Sequence, residues 1–124
     1  VQLLVVADEL LITPRVDISS TSIAWAMAAG VAVIGTAVHS VAEMIANKVN
    51  GLLFKQTPGR SMTPAILTCL RQRDEQRKAI EVARGHAYEA FGLRRCIEQY
   101  MQLYDNVLRG QDPGAGITDS AIVQ

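Results

Sequence analysis

The 124-residue chain balances 12 Lys+Arg against 12 Asp+Glu and is 49% hydrophobic but only 5% aromatic. That excludes bulk disorder, which needs low hydrophobicity and high net charge, and it offers nucleic acid neither a basic field nor a stacking platform. One domain with its own core is the expectation at this length, and a small neutral or locally anionic ligand stays open.

Cys69 and Cys96 form no CxxC pair and have no His at ligand spacing, so the sequence predicts two buried free thiols and no metal site. No apolar run approaches the roughly 20 residues that span a bilayer. The opening VQLLVV lacks the basic start and cleavage site of a signal peptide. A cytoplasmic protein is expected, with peripheral membrane association left open for a longer parent. The chain begins at Val1 in mid-pattern, as a piece of a longer protein would.

In chain order, residues 1–7 read as the end of a helix or a strand, and residues 9–13 as a buried strand closed by Pro14, which cannot donate to a ladder. Residues 21–29 read as an Ala-rich helix capped by Ser19 or Ser20 and stopped by Gly30. Residues 31–35 form a second, β-branched strand. Residues 39–46 follow as a short helix, with Ser40 and Glu43 at capping-box spacing. Asn50-Gly51 is a turn before a third short strand, residues 52–54.

From Thr63 the alternation stops. Thr63-Pro64 opens a helix to about Arg71, and residues 74–89 form another with Ala79, Ile80, Ala83 and Ala87 on one face. A last helix, residues 93–108, repeats Leu93, Ile97, Tyr100, Met101, Tyr104 and Leu108 at three- and four-residue steps and is expected to pack along its whole length. The Gly-, Asp- and Pro-rich residues 110–124 read as a flexible tail. Strands alternating with helices predict an α/β fold with a short parallel sheet of about three strands, followed by two or three helices.

In open parallel sheets ligands bind at the carboxyl ends of the strands, where the loops at residues 14–20, 36–40 and 54–63 would gather. The first opens a helix with Asp17-Ile18-Ser19-Ser20-Thr21-Ser22. Its free backbone N–H groups at the positive end of a helix dipole suit a phosphate or a sugar hydroxyl, although the serines could simply cap the helix.

The order ADELLITP, an acidic residue, AMAAGVAVIGT and HSVAEMIANKVNGLLF resembles the carboxyl-terminal domain of the retaining GT-B glycosyltransferases of family 4. That family reads roughly A-D-x-x-x-x-P-S, then E-x7-E with E-A-M-A-x-G-x-P-V-V, then G-G-x-x-E-x-I-x-x-G-x-N-G-L-L. The matching residues are Ala7-Asp8, Pro14, residues 26–30, Val33-Ile34, Glu43 with Ile45, and residues 50–53; Tyr100 to Tyr104 resembles the family's closing Y-x-x-L-Y. The resemblance implies a partial Rossmann-like, three-layer domain over residues 1–109 and a parent enzyme that moves a sugar from a nucleotide-diphosphate donor to an acceptor. No metal or other cofactor is implied, the nucleotide sugar being substrate. The acceptor, whether a sugar, a lipid or a small molecule, is unspecified.

Carried across, the first acid of E-x7-E is Asp17, a shorter carboxylate that would contact the donor sugar, with Ile18, Ser19, Ser20 and Thr21 lining the sugar and diphosphate. The second acid, which holds the ribose hydroxyls in the family, is replaced by Trp25, whose indole donates one hydrogen bond and accepts none. Ser19-Ser20 stand at the family's F-G, Ala32 at its P and His39-Ser40 at its G-G. Arg15, His39 and Glu43 are further candidates beside the site. The sequence assigns no catalytic residue.

Each candidate has a plain alternative. Asp17 could pair with the helix dipole, Trp25 could pack in an interface, Glu43 could serve the capping box and His39 could sit in an exposed loop. His86 and the cluster Arg71, Arg73, Arg77 and Lys78, interleaved with Asp74 and Glu75, read as solvated helix surface. Two domains need roughly 250 residues, so this chain alone should be inactive. Alternatives to a transferase are a degenerate, non-catalytic GT-B module used for binding or as a scaffold, and a nucleotide-sugar epimerase of the same architecture. The short sheet with an open edge predicts that the isolated fragment forms a homodimer.

Overall fold

The computed structural model describes residues 2–14, 21–55 and 62–117. Its opening apolar run is a short 3-10 helix, Gln2–Val6, rather than a strand. Leu4 and Ala7 touch the core while Leu3, Val5 and Val6 face outward.

Three strands follow: β1 (Glu9–Ile12), β2 (Ala32–Thr36) and β3 (Leu52–Phe54). They form one parallel sheet in the order β1-β2-β3, with Glu9 opposite Ala32 and Ile34 opposite Leu52. β2 is buried at all five positions, as the middle strand of a parallel sheet must be. Its run Ala32 to Ile34 is therefore apolar without alternation.

Between β1 and β2 lies α1 (Thr21–Ala29), at the predicted bounds. Ile23, Ala24, Ala26 and Met27 are buried, and the small alanines let α4 (Arg73–Phe91) lie against it through the buried Ala83 and Ala87. Gly30, at φ 76°, ends α1 in a Schellman motif: Val31 N–H donates to Ala26 O at 2.9 Å and Gly30 N–H to Met27 O at 3.0 Å. Ile23, Met27, Val33, Val41 and Ile45 complete the core, each contributing roughly 1.5–3 kcal/mol by burial.

The second crossover differs from its prediction. Helix α2 is His39–Met44, entered through Val38, so Ser40 lies inside the first turn and is not the N-cap. The capping box is corrected accordingly, because the chain turns sharply after β2, with Val38 N–H donating to Thr36 O at 2.8 Å. The helix also stops at Met44 instead of continuing to Ala46. Ile45 is extended, and the next N–H, from Ala46, is taken by Asn50 Oδ1 at 2.8 Å.

Helix α3 (Thr63–Arg71) starts with Pro64 in its first turn. Its N-cap is Met62, one residue before the predicted Thr63. Helix α4 runs two residues past its predicted end, with Ala79 and Ile80 half-buried beside Ala83 and Ala87. His86, expected in solvent, is half-buried: its ring meets Phe91 edge-on at 5.9 Å, and Nε2 is enclosed without a hydrogen-bond partner. Of the two thiols expected to be buried, Cys69 is half-buried and Cys96 is exposed.

Helix α5 (Leu93–Leu108) has its predicted bounds but not its predicted packing. Leu93, Ile97, Tyr100, Met101, Tyr104, Val107 and Leu108 all face outward, and the buried residue is Asn106. The reason lies in the following chain. Asn106 Nδ2 donates to Pro113 O (3.2 Å) and Ala115 O (2.8 Å), so the helix turns its polar side toward the returning segment. Gln111 N–H donates to Asn106 O at 2.9 Å, tying the start of the tail to α5 as well.

Candidate functional site

Parallel pairing sends the carboxyl ends of all three strands to one edge, where they lead into the first turns of α1, α2 and α3. Side-to-side hydrogen bonds join the three exits. Thr36 Oγ1, fully buried, donates to Pro14 O at 3.2 Å, linking the end of β2 to the chain leaving β1. Ala37 N–H donates to Phe54 O at 2.8 Å, linking it to the end of β3. The edge is thus braced across all three strands, a rigid base for the loops that leave them.

Thr21 is the first residue of α1 and is exposed, at the helix end whose unpaired amides carry the positive end of the dipole. Trp25 lies one turn further along and is 51% exposed although Ile23, Ala24, Ala26 and Met27 around it are buried. A half-exposed indole here is a surface for stacking and cannot supply the paired acceptors a ribose diol takes from a carboxylate. His39 is the first residue of α2, and Glu43 is exposed on the same helix. Arg15, Asp17, Ile18, Ser19 and Ser20 lie outside the described residues.

The turn between α2 and β3 is built by two asparagines. Asn50, 2% exposed, accepts from Ala46 N–H and donates from Nδ2 to Met44 O at 3.3 Å, while Asn47 Oδ1 accepts from Leu53 N–H at 2.9 Å. This is what the N-G-L-L part of the motif is for: a side chain replaces the helical partners of the last α2 groups and feeds the chain into β3. Lys48 stands in the same turn at φ 65°, where the family pattern has glycine. A side chain in that conformation costs about 1–2 kcal/mol.

No group of three or more His, Cys, Asp or Glu among the described residues is arranged to hold a metal ion. No helix among them is long and apolar enough to cross a membrane. Burial, then the neighbouring Glu9 carboxylate, pushes the Cys69 thiol up to about 11, so it is a neutral group at ordinary pH. Sequence reasoning missed Thr36 and Asn50 as positioning residues. Asn50 was visible in the turn motif, but Thr36 had no local signal because its partner is 22 residues away.

Comparison with known proteins agrees with this geometry. The family described as Glycosyl transferases group 1 matches residues 20–86, from the entrance of α1 into α4. The chain belongs to the group 1 glycosyl transferases. It is similar to the N-acetyl-alpha-D-glucosaminyl L-malate synthase of Bacillus anthracis, 28% identical over 113 residues, covering 91% of this chain and 30% of that protein. Anabaena HepE in complex with UDP-glucose shares the fold at a TM-score of 0.78 and 20% identity, over 85% of this chain and 29% of that one. The same protein with UDP and glucose superposes at 0.74 and 19% identity, with the same coverage. The group 1 chain described here spans less than a third of the length of each of these relatives.

Proposed function

We propose that this chain is the donor-binding part of a glycosyltransferase that moves a sugar from a nucleotide diphosphate to an acceptor. The family match across residues 20–86 carries the reading, because it falls on the elements that converge at the carboxyl edge of the sheet. The relative solved with UDP-glucose has the same fold. In this reading Asp17 contacts the donor sugar, Ile18, Ser19, Ser20 and Thr21 bring amides and hydroxyls to sugar and diphosphate, and Arg15, His39 and Glu43 stand at the rim. The dipole of α1 stabilises the charge that grows on the departing diphosphate. No metal or cofactor is part of the proposal.

The acceptor, a sugar, a lipid or another small molecule, is held by the rest of the protein, and the chain alone is inactive. We expect the parent in the cytoplasm, peripheral to a membrane if its acceptor is a lipid. With the apolar side of α5 bare, the isolated chain forms a homodimer. The test of function is donor turnover: full-length parent releases nucleoside diphosphate from a nucleotide sugar, and Asp17→Asn slows release. A folded parent inert toward all nucleotide sugars and acceptors contradicts the reading.

Trp25 favours a second reading, in which the module has lost donor chemistry and serves as a binding or scaffold unit. Its half-exposed indole stands where the family's ribose-binding acid belongs. Under that reading the parent binds nucleotide without turning it over.

A further inference from the structure

At the end of the sheet away from the donor loops, the starts of β2 and β3 and the helices α3 and α4 line an open cavity of about 390 Å³. Val33, Leu52 and Ile80 give it an apolar floor, and its size falls in the range of small-molecule sites. Two opposite charges line the same cavity, Lys48 from the turn before β3 and Glu75 from the first turn of α4. They form no ion pair with each other. Part of the remaining polar wall is paired: Gln76 Nε2 donates to Glu9 Oε1 at 3.3 Å and to Cys69 Sγ at 3.2 Å.

Lys48 is the informative residue. Its φ of 65° belongs to glycine, yet the turn holds it there, with Lys48 N–H donating to Gly51 O at 2.7 Å and Asn50 fixing the preceding backbone. A cation kept in a conformation that disfavours it, on the lining of an apolar cavity that also carries the Glu75 carboxylate, argues for a role of the side chain.

We propose that this cavity binds a zwitterion with an apolar side chain, of amino-acid size. Its carboxylate meets Lys48, its ammonium meets Glu75, and its side chain covers Val33, Leu52 and Ile80. A ligand with one charge leaves the other wall unmatched. The site shares no residue with the donor loops and stands whether or not the proposed donor chemistry does.

The test is calorimetric titration of the full-length parent with L-leucine and L-phenylalanine and with two analogues of leucine that each lack one charge, 4-methylpentanoate and 3-methylbutylamine. At least one amino acid binds, and both leucine analogues bind at least roughly tenfold more weakly than leucine or not at all. Lys48→Gly and Glu75→Gln each weaken the amino acid at least roughly tenfold. Lys48→Gly keeps or raises the thermal midpoint, so lost binding is not lost folding. The proposal is overturned if neither amino acid binds, if an analogue binds as well as leucine, or if either variant keeps full affinity. A parallel titration with UDP-glucose separates the two readings, since donor affinity is unchanged in both variants whatever happens at the cavity.

Discussion

Thr36 donates its buried hydroxyl to the carbonyl of Pro14 at 3.2 Å, and this bond ties the exits of β1 and β2 together beyond their last ladder pair, Ile12 opposite Gly35. The loop from Pro14 to α1 and the step from Thr36 into α2 both start from this brace. Replacing Thr36 by Val keeps the shape and removes the donor, leaving the Pro14 carbonyl unpaired at a cost of about 1–3 kcal/mol. Chemical denaturation of the parent should show that loss, and nucleotide-sugar KM should rise more than kcat falls.

Asn50 performs a comparable service between α2 and β3. Asn50→Ala strands Ala46 N–H and Met44 O, and about 2–4 kcal/mol of stability should go with them. Lys48→Gly in the same turn should act the other way, relieving the strain of φ 65° and stabilising by up to about 1 kcal/mol. Denaturation midpoints of the two variants, measured together, should therefore move in opposite directions.

Trp25→Glu restores the acidic position of the family pattern. As the donor site is proposed, the carboxylate regains paired contacts to the ribose, and nucleotide affinity should increase roughly tenfold. Should the variant bind nucleotide more weakly than the parent, the indole itself is the ligand-contacting group.

The Cys69 thiol titrates at about 11 in the folded chain against an ordinary 9.0. Between those values the folded state keeps a proton that the unfolded state has released. The contribution is thus fully present below about pH 9 and is lost as the pH climbs toward 11. It is small, since the thiol is only half-buried and solvent screens it. Urea midpoints should fall over that window more steeply for the natural protein than for Cys69→Ala. At pH 8, iodoacetamide should modify the exposed Cys96 before Cys69.

The strands, their order of appearance and the bounds of α1 and α5 were legible in the sequence because local pattern decides them: continuous β-branched runs for β2, and Gly30 for the end of α1. What failed depended on partners distant in sequence. The true start and stop of α2 are set by the turn after Thr36 and by Asn50, and neither shows in a capping-box spacing. The face of α5 was misread for a similar reason, since periodicity identifies an apolar stripe without saying what covers it, and Asn106 turns that stripe outward. Asp17 and Trp25 were legible only through the motif, which names positions but not their contacts.

The measurement that bears most directly on the central claim is calorimetric titration of the full-length parent with UDP-glucose and other nucleotide sugars, repeated with Asp17→Ala. A single nucleotide sugar should bind at one site per chain, and the variant should weaken it at least roughly tenfold. A folded parent that binds none of them, or an Asp17→Ala variant with undiminished affinity, would contradict the assignment of the donor site to this edge of the sheet.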